Sequence, residues 1–228
     1  MGLEPELDSP WVKPSCKDEW RFVFDLGTRK VYEPGAVIYY QGDHSRVFYY
    51  LHSGRVKVSI LREDGSEKVL AIHEPGSVFG ESAALDDRPY FATATSTERS
   101  VVYEVNVDDV LSLMKSDPAI LRQIGRSLTC KMRLLAFHVA DLTFHDAVSR
   151  VAHILLKIGE DFGVSTPQGR QLSVRLTHQG IADLTGVSRV TVTNVLNILE
   201  RQGFIQKKRR QIVITDEAKL ARYLRKII

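Results

Sequence analysis

Residues 176–205 carry the pattern that most constrains the fold of this chain, two short helices joined by a tight turn. Ile181 and Leu184 are the apolar positions of the first helix, and Gly186 stands where a left-handed backbone would end it. Ser188 can cap the second helix, whose buried residues are expected three and four positions apart. These buried residues are Val192, Val195, Leu196 and Leu199. The spacing predicts a helix-turn-helix.

The outward face of the second helix is short and polar, unlike the mixture of Glu and Lys on an ordinary solvated helix. It consists of Ser188, Arg189, Val190, Thr191, Thr193, Asn194 and Asn197. Such a helix fits the major groove of B-form DNA, whereas the major groove of RNA is too deep and narrow. The alternative is a helical hairpin in an all-α core, which the polar face disfavours.

Two β-rich segments, 204–206 and 211–214, flank four consecutive cations and predict a hairpin wing. The segment from Arg170 to Ile228 has twelve Lys/Arg against four Asp/Glu, a net charge of +8, whereas the rest of the chain carries −5. A basic module that contains a groove-binding motif indicates double-stranded DNA as the partner.

We predict that Arg189 donates to guanine or otherwise to phosphate, that Val190 packs on a thymine methyl group and that Asn194 pairs with adenine or a neighbouring acceptor. Phosphate contacts are expected around the two helix starts and along the wing. The residues predicted to make them are Thr177, His178, Gln179, Ser188, Thr191, Thr193, Lys207, Lys208, Arg209 and Arg210.

Between residues 30 and 106, β-branched and aromatic segments alternate with glycines and Asp-Gly turns. The predicted strands are 37–40, 47–51, 56–61, 68–72 and 100–105, which favours a sandwich or jelly roll. A metal-dependent enzyme on such a roll would need clustered histidines, but His44, His52 and His73 are scattered. We therefore predict no catalytic residues and no metal site.

A long helix is predicted from Pro118 to about Thr143, because this stretch has no internal proline. Its apolar residues follow gaps of three and four, the pattern of a coiled-coil seam. They are Leu121, Ile124, Leu128, Met132, Leu135, Val139 and Leu142. We expect a homodimer, since a dimer presents two DNA-binding helices to two half-sites. The alternative is packing against the chain's own β domain. A second helix is predicted over residues 145–160.

The overall prediction is an α+β fold in four parts. These are an N-terminal extension (1–24), an antiparallel β-roll (25–116), a dimerisation helix (117–143) and a winged helix-turn-helix domain (144–228). No apolar run approaches the roughly 20 residues of a membrane span. The acidic, proline-broken start and the two cysteines, Cys16 and Cys130, indicate neither a signal peptide nor a disulfide framework, so a cytoplasmic location is expected.

This order of domains resembles the CRP/FNR family of bacterial transcription regulators from about Asp25 to Ile228. The residues that carry the resemblance are EDGSEKVLAIHEPGSVFGE at 63–81, FHDAVSR at 144–150 and the helix-turn-helix. The resemblance implies a dimeric, non-enzymatic transcription activator that binds a palindromic site. It also implies RNA polymerase as a partner and a small effector bound between roll and long helix.

The effector is where this chain departs from the family patterns. Cyclic-AMP binders carry a Gly-Glu pair, present here as Gly80-Glu81, and a later Arg-Ser pair, which is replaced by Tyr90 and Phe91. Their adenine-binding Thr-Ser pair corresponds to Leu135-Ala136. Cyclic AMP is therefore disfavoured, although the nearby Arg88 could partly substitute. An iron–sulfur cluster needs four thiolates, and this chain has two cysteines.

Lys131 together with Val190 resembles the branch that responds to halogenated phenols, in which a lysine holds the phenolate. The alternative, which is slightly favoured, is that Lys131 lies at the outer edge of the coiled coil. The predicted effector residues are Glu81, Arg88, Tyr90, Phe91, Lys131 and Leu135. Three alternatives stay open: haem bound by His73 or His138, an effector-independent protein whose pocket Tyr90 and Phe91 fill, and a cyclic-nucleotide module that regulates another protein. The cofactor is left unidentified.

Overall fold

The computed structural model describes residues 11–12, 20, 22–174, 176–208 and 211–224. Helices and antiparallel sheets alternate along the chain, so the predicted α+β class is confirmed. The chain divides into two compact units, Pro10–Leu135 and Ala136–Ile228, and the division falls inside the long helix. Among the described residues, no helix combines the length and apolar character that crossing a bilayer requires.

The first unit is a roll of two facing sheets followed by helices. Its elements are β1 (Trp11–Val12), α1 (Phe22–Leu26), β2 (Thr28–Tyr32), β3 (Val37–Tyr39), β4 (Val47–Ser53), β5 (Val56–Leu61), β6 (Glu67–His73), β7 (Val78–Phe79), α2 (Glu81–Asp86), β8 (Thr93–Ser96), β9 (Ser100–Asn106), α3 (Val107–Ser116) and the start of α4 (Pro118–Phe144). One sheet has the order β1-β6-β5-β8-β3 and the other β2-β9-β4-β7. All pairings are antiparallel except that of β1 with β6.

All five strands predicted from the alternation of apolar residues are present in the roll. The short strands β7 and β8 and the helices α2 and α3 were not predicted. Strand β2 was missed because four of its five residues are exposed, which leaves no apolar alternation to recognise. Helix α3 begins where Asn106 accepts a hydrogen bond from the backbone N–H of Asp108, a local cap that periodicity does not detect.

Two apolar clusters stabilise the roll. One lies between the sheets and includes Leu51 and Phe79 of one sheet and Val58 of the other. The other joins the roll to the first turns of α4, because Ile124 packs in the cluster that contains Trp20 and Phe48. Ile124 is only 2 % exposed. The prediction that Ile124 belongs to the dimer seam is therefore wrong: this side chain faces its own roll.

The second unit contains the end of α4 and a winged-helix arrangement. Its elements are α5 (Ala147–Phe162), β10 (Gly163–Thr166), β11 (Gly169–Leu172), α6 (His178–Thr185), α7 (Arg189–Arg201), β12 (Ile205–Lys208), β13 (Gln211–Ile214) and α8 (Glu217–Leu224). The strands form one sheet in the order β10-β11-β13-β12. Helix α5 starts two residues later than predicted, because Asp146 caps it by accepting from the backbone N–H of Ser149.

Candidate nucleic-acid interface and effector cavity

The turn between α6 and α7 is built by side-chain caps and one glycine. The Thr177 hydroxyl accepts from the backbone N–H of Gly180 at 2.9 Å and so begins α6. Gly186 ends α6 with φ of +68°, a conformation that strains residues with a Cβ atom. The Ser188 hydroxyl then accepts from the backbone N–H of Thr191 at 3.0 Å and begins α7. These local bonds fix the angle at which α7 leaves the turn.

Helix α7 buries one side and exposes the predicted base-reading side. Its buried residues are Val192, Val195, Leu196 and Leu199, as predicted. Arg189, Val190 and Asn194 are exposed, and Val190 is 69 % exposed although it is apolar. Within the described part of the chain, no hydrogen bond or ion pair engages the Arg189 and Asn194 side chains. The exposed side of α7 therefore carries two side chains that can form hydrogen bonds, Arg189 and Asn194, and one apolar side chain, Val190.

Several predicted phosphate-binding residues are already engaged within the unit. The imidazole Nδ1 of His178 lies 2.8 Å from the Thr193 hydroxyl, which ties the start of α6 to α7. The Ser188 and Thr191 hydroxyls lie 2.8 Å apart. The Gln179 amide donates to the Asp183 carboxylate at 2.7 Å. Thr177 and Gln179 are exposed, whereas His178, Thr191 and Thr193 are partly buried.

Lys207 on the wing is held by α7. Its Nζ lies 2.8 Å from Glu200 Oε2 and donates to Asn197 Oδ1 at 2.5 Å. Its backbone N–H also donates to Glu200 at 2.9 Å. The side-chain and backbone hydrogen bonds that Lys207 donates to Glu200 lower the pKa of this carboxyl group. Lys207 was predicted to contact phosphate, but its charge is balanced here by a carboxylate, so its role in this conformation is to hold the wing against the helix.

Lys208, the next residue of the wing, is exposed, and no ion pair involves it in the segments that the structure describes. The phosphate contact of Lys208 stays a prediction, and its exposed ammonium is compatible with it. Arg209 and Arg210 lie outside the described residues, as does Cys16.

The roll unit contains a cavity of about 250 Å³ between its strands and the middle turns of α4. Most of the wall is apolar, including Val58, Leu70, Phe79, Leu128, Met132 and Leu135. Its polar side chains include Glu81, Lys131 and His73. A small volume with an apolar wall and few polar groups is the usual composition of a small-molecule site.

The charges in the cavity form a pair. Lys131 Nζ donates to Glu81 Oε1 at 2.5 Å and to the Val78 carbonyl at 2.9 Å. The Glu81 side chain is only 4 % exposed and that of Lys131 19 %. Gly80 positions Glu81 at the start of α2 with φ of +75°, and a Cβ at this position would lie 2.6 Å from the Tyr49 ring. The cavity thus offers a compensated ion pair rather than an unbalanced cation.

His73 lies in the same wall and is neutral. Burial lowers its pKa well below 6.5, and the charge of Lys131 lowers it further. Its Nδ1 lies 3.3 Å from the Ser77 hydroxyl. The sequence indicates His73 only as an alternative haem ligand, because a single histidine within a strand carries no spacing signal.

Four of the predicted effector residues line the cavity, namely Glu81, Phe91, Lys131 and Leu135, and their contact with an effector stays a prediction. Arg88 and Tyr90 do not line it, which corrects the prediction for both. Arg88 is exposed beyond the end of α2. Tyr90 is buried with its ring stacked on Tyr39 at 3.8 Å between centroids. Tyr90 therefore supports the wall and does not fill the cavity.

A winged helix-turn-helix and a β-roll with an internal cavity in one chain define a class of DNA-binding proteins. Comparison with known proteins agrees with this class. The cyclic nucleotide-binding domain family matches residues 29–117. The Crp-like helix-turn-helix domain family matches residues 149–223.

Relatives with the same architecture match most of the chain. A CRP-like cAMP-activated global transcriptional regulator from Mycobacterium tuberculosis is 31 % identical over 191 residues, which cover 84 % of this chain and 85 % of that protein. The cyclic AMP receptor protein of Thermus thermophilus is 30 % identical over 198 residues, which cover 87 % of this chain and 88 % of that protein. The structure of a CooA mutant from Carboxydothermus hydrogenoformans is 25 % identical in sequence and has a TM-score of 0.77. The match covers 91 % of this chain and 92 % of the CooA chain.

This chain belongs to the CRP/FNR family of transcription regulators, which confirms the resemblance found in its sequence. It is a DNA-binding protein with a cyclic-nucleotide-binding-type roll, and its relatives are transcription regulators rather than enzymes.

Proposed function

We propose that this protein is a homodimer that binds a palindromic DNA site through two copies of α7, under the control of a small effector in the roll cavity. The observation that carries the proposal is the exposed apolar stripe of α4. Six of the seven predicted seam residues are exposed large hydrophobic side chains. They are Leu121, Leu128, Met132, Leu135, Val139 and Leu142.

The stripe supports dimerisation because of what it would bury. Val139 and Met132 are 65 % and 64 % exposed in the single chain, an unfavourable arrangement for apolar groups that recur at heptad spacing. A second copy of α4 would cover the whole stripe at once. Family members act as dimers, and a two-fold axis would present both α7 helices to successive major grooves.

Sequence preference is assigned to Arg189, Val190 and Asn194, which are exposed in the first half of α7. Arg189 can donate to the acceptor edge of guanine, and Asn194 can pair with adenine. Val190 offers no hydrogen bond, so its favourable partner is the methyl group of thymine. This combination predicts half-sites rich in A·T pairs next to a guanine. RNA polymerase is the proposed protein partner once the dimer is on DNA.

The proposed effector is a small aromatic or apolar molecule with one hydroxyl group, such as a phenol in its neutral form. Its hydroxyl would donate to Glu81 and accept from Lys131, replacing part of the bond that these residues make with each other. A cyclic nucleotide is a poorer fit, although two relatives are named for cyclic AMP. Lys131 is the one cation among the described residues that line the cavity, and Glu81 already balances it.

Effector binding can reach the dimer surface because the two share residues. Leu128, Met132 and Leu135 line the cavity and also belong to the exposed stripe of α4. A ligand that moves these side chains changes the surface on which the partner helix packs. This gives a physical route from the cavity to the spacing of the two DNA-binding helices.

Dimerisation is tested by placing a charge in the stripe. Val139→Asp should shift the protein from dimer to monomer in sedimentation analysis and abolish binding to a two-half-site duplex. Arg133→Asp is the control, since Arg133 is exposed on α4 but lies outside the stripe. A dimer that survives Val139→Asp, or is lost equally with Arg133→Asp, would contradict the proposed interface.

The effector is tested by thermal-shift measurement with neutral phenols, cyclic AMP and haem. A ligand at a hundred times its dissociation constant adds about 2.7 kcal/mol to stability, which is readily detected. We expect a shift with a phenol that Phe91→Asp reduces, because Phe91 lines the cavity. A shift with cyclic AMP alone would overturn the choice of effector class while leaving DNA binding intact.

A further inference from the structure

Three side chains at the junction of α4 and α5 converge in a way that the DNA-binding and effector roles do not explain. Asp141 lies in the last turn of α4, His145 follows α4, and His153 lies within α5. One ligand atom from each lies within 4.8 Å of the other two. All three belong to the unit Ala136–Ile228.

The distances within this Asp-His-His cluster suit a shared ion. Asp141 Oδ1 lies 2.9 Å from His145 Nδ1 and 3.7 Å from His153 Nδ1. Around a tetrahedral zinc ion, nitrogen and oxygen donors about 2.0–2.2 Å from the metal lie about 3.3–3.5 Å from one another. The two observed distances bracket this range, so small side-chain movements would complete the geometry.

His153 supplies a second, independent reason. Its Nδ1 is fully buried and has no hydrogen-bond partner in the described part of the chain, because 3.7 Å is too long for a hydrogen bond. A buried polar nitrogen without a partner is costly and rare. Asp141 Oδ1 accepts a hydrogen bond from His145. His153 Nδ1 faces the same oxygen but is too far away to form a hydrogen bond with it.

The scaffold holds the three groups on regular elements. The backbone N–H of His145 donates to the Asp141 carbonyl at 3.2 Å, which continues the helical geometry of α4 through this residue. His153 is fixed by α5, whose neighbouring residues Val151, Ala152 and Leu155 are fully buried. The side chains of the three cluster residues are only 11–16 % exposed. Rigid support and partial shielding from water are what a metal site requires.

We infer that Asp141, His145 and His153 form a binding site for a divalent first-row transition metal, of which Zn²⁺ fits best. Two imidazoles and one carboxylate are a borderline-soft donor set suited to zinc. Three protein ligands leave a fourth position for water, so the site is of the open and exchangeable kind. The bound ion would clip the last turn of α4 to α5. The sequence prediction of no metal site considered only the roll histidines.

The test uses the full chain, stripped of metal with chelator and titrated with Co²⁺ as a spectroscopic substitute for Zn²⁺. We expect visible d–d absorption that saturates at one equivalent per chain and is displaced by Zn²⁺. His153→Gln and His145→Gln should each weaken Co²⁺ binding at least tenfold. Circular dichroism of each variant shows whether it is folded.

Two control variants separate this site from incidental binding. His44→Gln removes an exposed imidazole from the roll, and Cys130→Ser removes the partly buried thiol of α4. Both should leave the Co²⁺ spectrum and stoichiometry unchanged. Absence of saturable Co²⁺ binding would overturn the inference, as would binding that a folded His153→Gln variant retains or that either control abolishes.

Discussion

Replacing Lys131 by methionine leaves the buried carboxylate of Glu81 without its cationic partner. The variant keeps most of the side-chain volume but removes the ammonium that contacts both Glu81 and the Val78 carbonyl. Breaking a buried ion pair by removing one partner typically destabilises a protein by about 3–5 kcal/mol. With only 4 % of the Glu81 side chain exposed, water can do little to replace the lost partner.

Protonation sets an upper limit on this loss. An ordinary glutamic acid has a pKa of about 4.3, so adding its proton costs about 4 kcal/mol at pH 7 and about 1 kcal/mol at pH 5. A carboxylate stranded in the cavity can always escape by this route. Lys131→Met should therefore destabilise the roll by about 3–4 kcal/mol at pH 7 and by much less at pH 5, with a further contribution of about 1 kcal/mol from the unpaired Val78 carbonyl at both.

The assay is urea unfolding followed by tryptophan fluorescence. Both tryptophans of the chain, Trp11 and Trp20, belong to the roll unit, so the signal reports that unit. The control is the double variant Lys131→Met with Glu81→Gln. Its free energy of unfolding should decrease by about 1–2 kcal/mol, nearly independently of pH. A loss below about 1 kcal/mol for the single variant, or one as large at pH 5 as at pH 7, would refute the reasoning from burial.

Three further outcomes follow from the structure. Val190→Glu should move site preference away from A·T pairs by about 1–3 kcal/mol of discrimination in selection from random duplexes, whereas Gln168→Glu, exposed at the β10–β11 turn, should not. Lys208→Gln should weaken binding to all duplexes and reduce the salt slope by about one, while Glu200→Gln, by releasing Lys207, should strengthen binding and steepen that slope. Because burial keeps His73 unprotonated in the fold, the unfolded chain binds more protons below pH 6.5, so stability is full above pH 6.5 and falls as the pH drops. In urea unfolding, the decrease in the free energy of unfolding from pH 7.5 to pH 5.5 should be smaller for His73→Leu than for the unaltered chain, by roughly 1 kcal/mol. An equal decrease in both proteins would contradict the assignment.

The elements that sequence predicts well are those whose signals are local. Gly186 and Ser188 mark the turn and the cap of α7 by residue type alone, and both are found in those roles. The long helix α4 follows from an uninterrupted stretch after Pro118. Ile124 shows the limit of periodicity, since spacing places an apolar residue on a helix face but does not say which neighbour covers it.

The candidate sites depend on contacts between distant segments, and these were predicted less well. Glu81 and Lys131 are fifty residues apart, and their bond became visible only in the folded roll. Arg88 is close in sequence to the cavity residues, but the end of α2 carries it to the surface. The Asp-His-His cluster has one local signal, the four-residue spacing of Asp141 and His145. His153 joins them only through the packing of α5.

The residues that α4 contributes both to the cavity wall and to the exposed stripe have a further consequence. A substitution at Leu128, Met132 or Leu135 that enlarges the cavity also reshapes the surface offered to a second chain. If the proposed effector and dimer interface are correct, ligand preference and subunit affinity would be coupled at these three positions. Under the same proposal, divergence toward a new effector should be easiest through Leu70 or Val58, which line the cavity from the strand side.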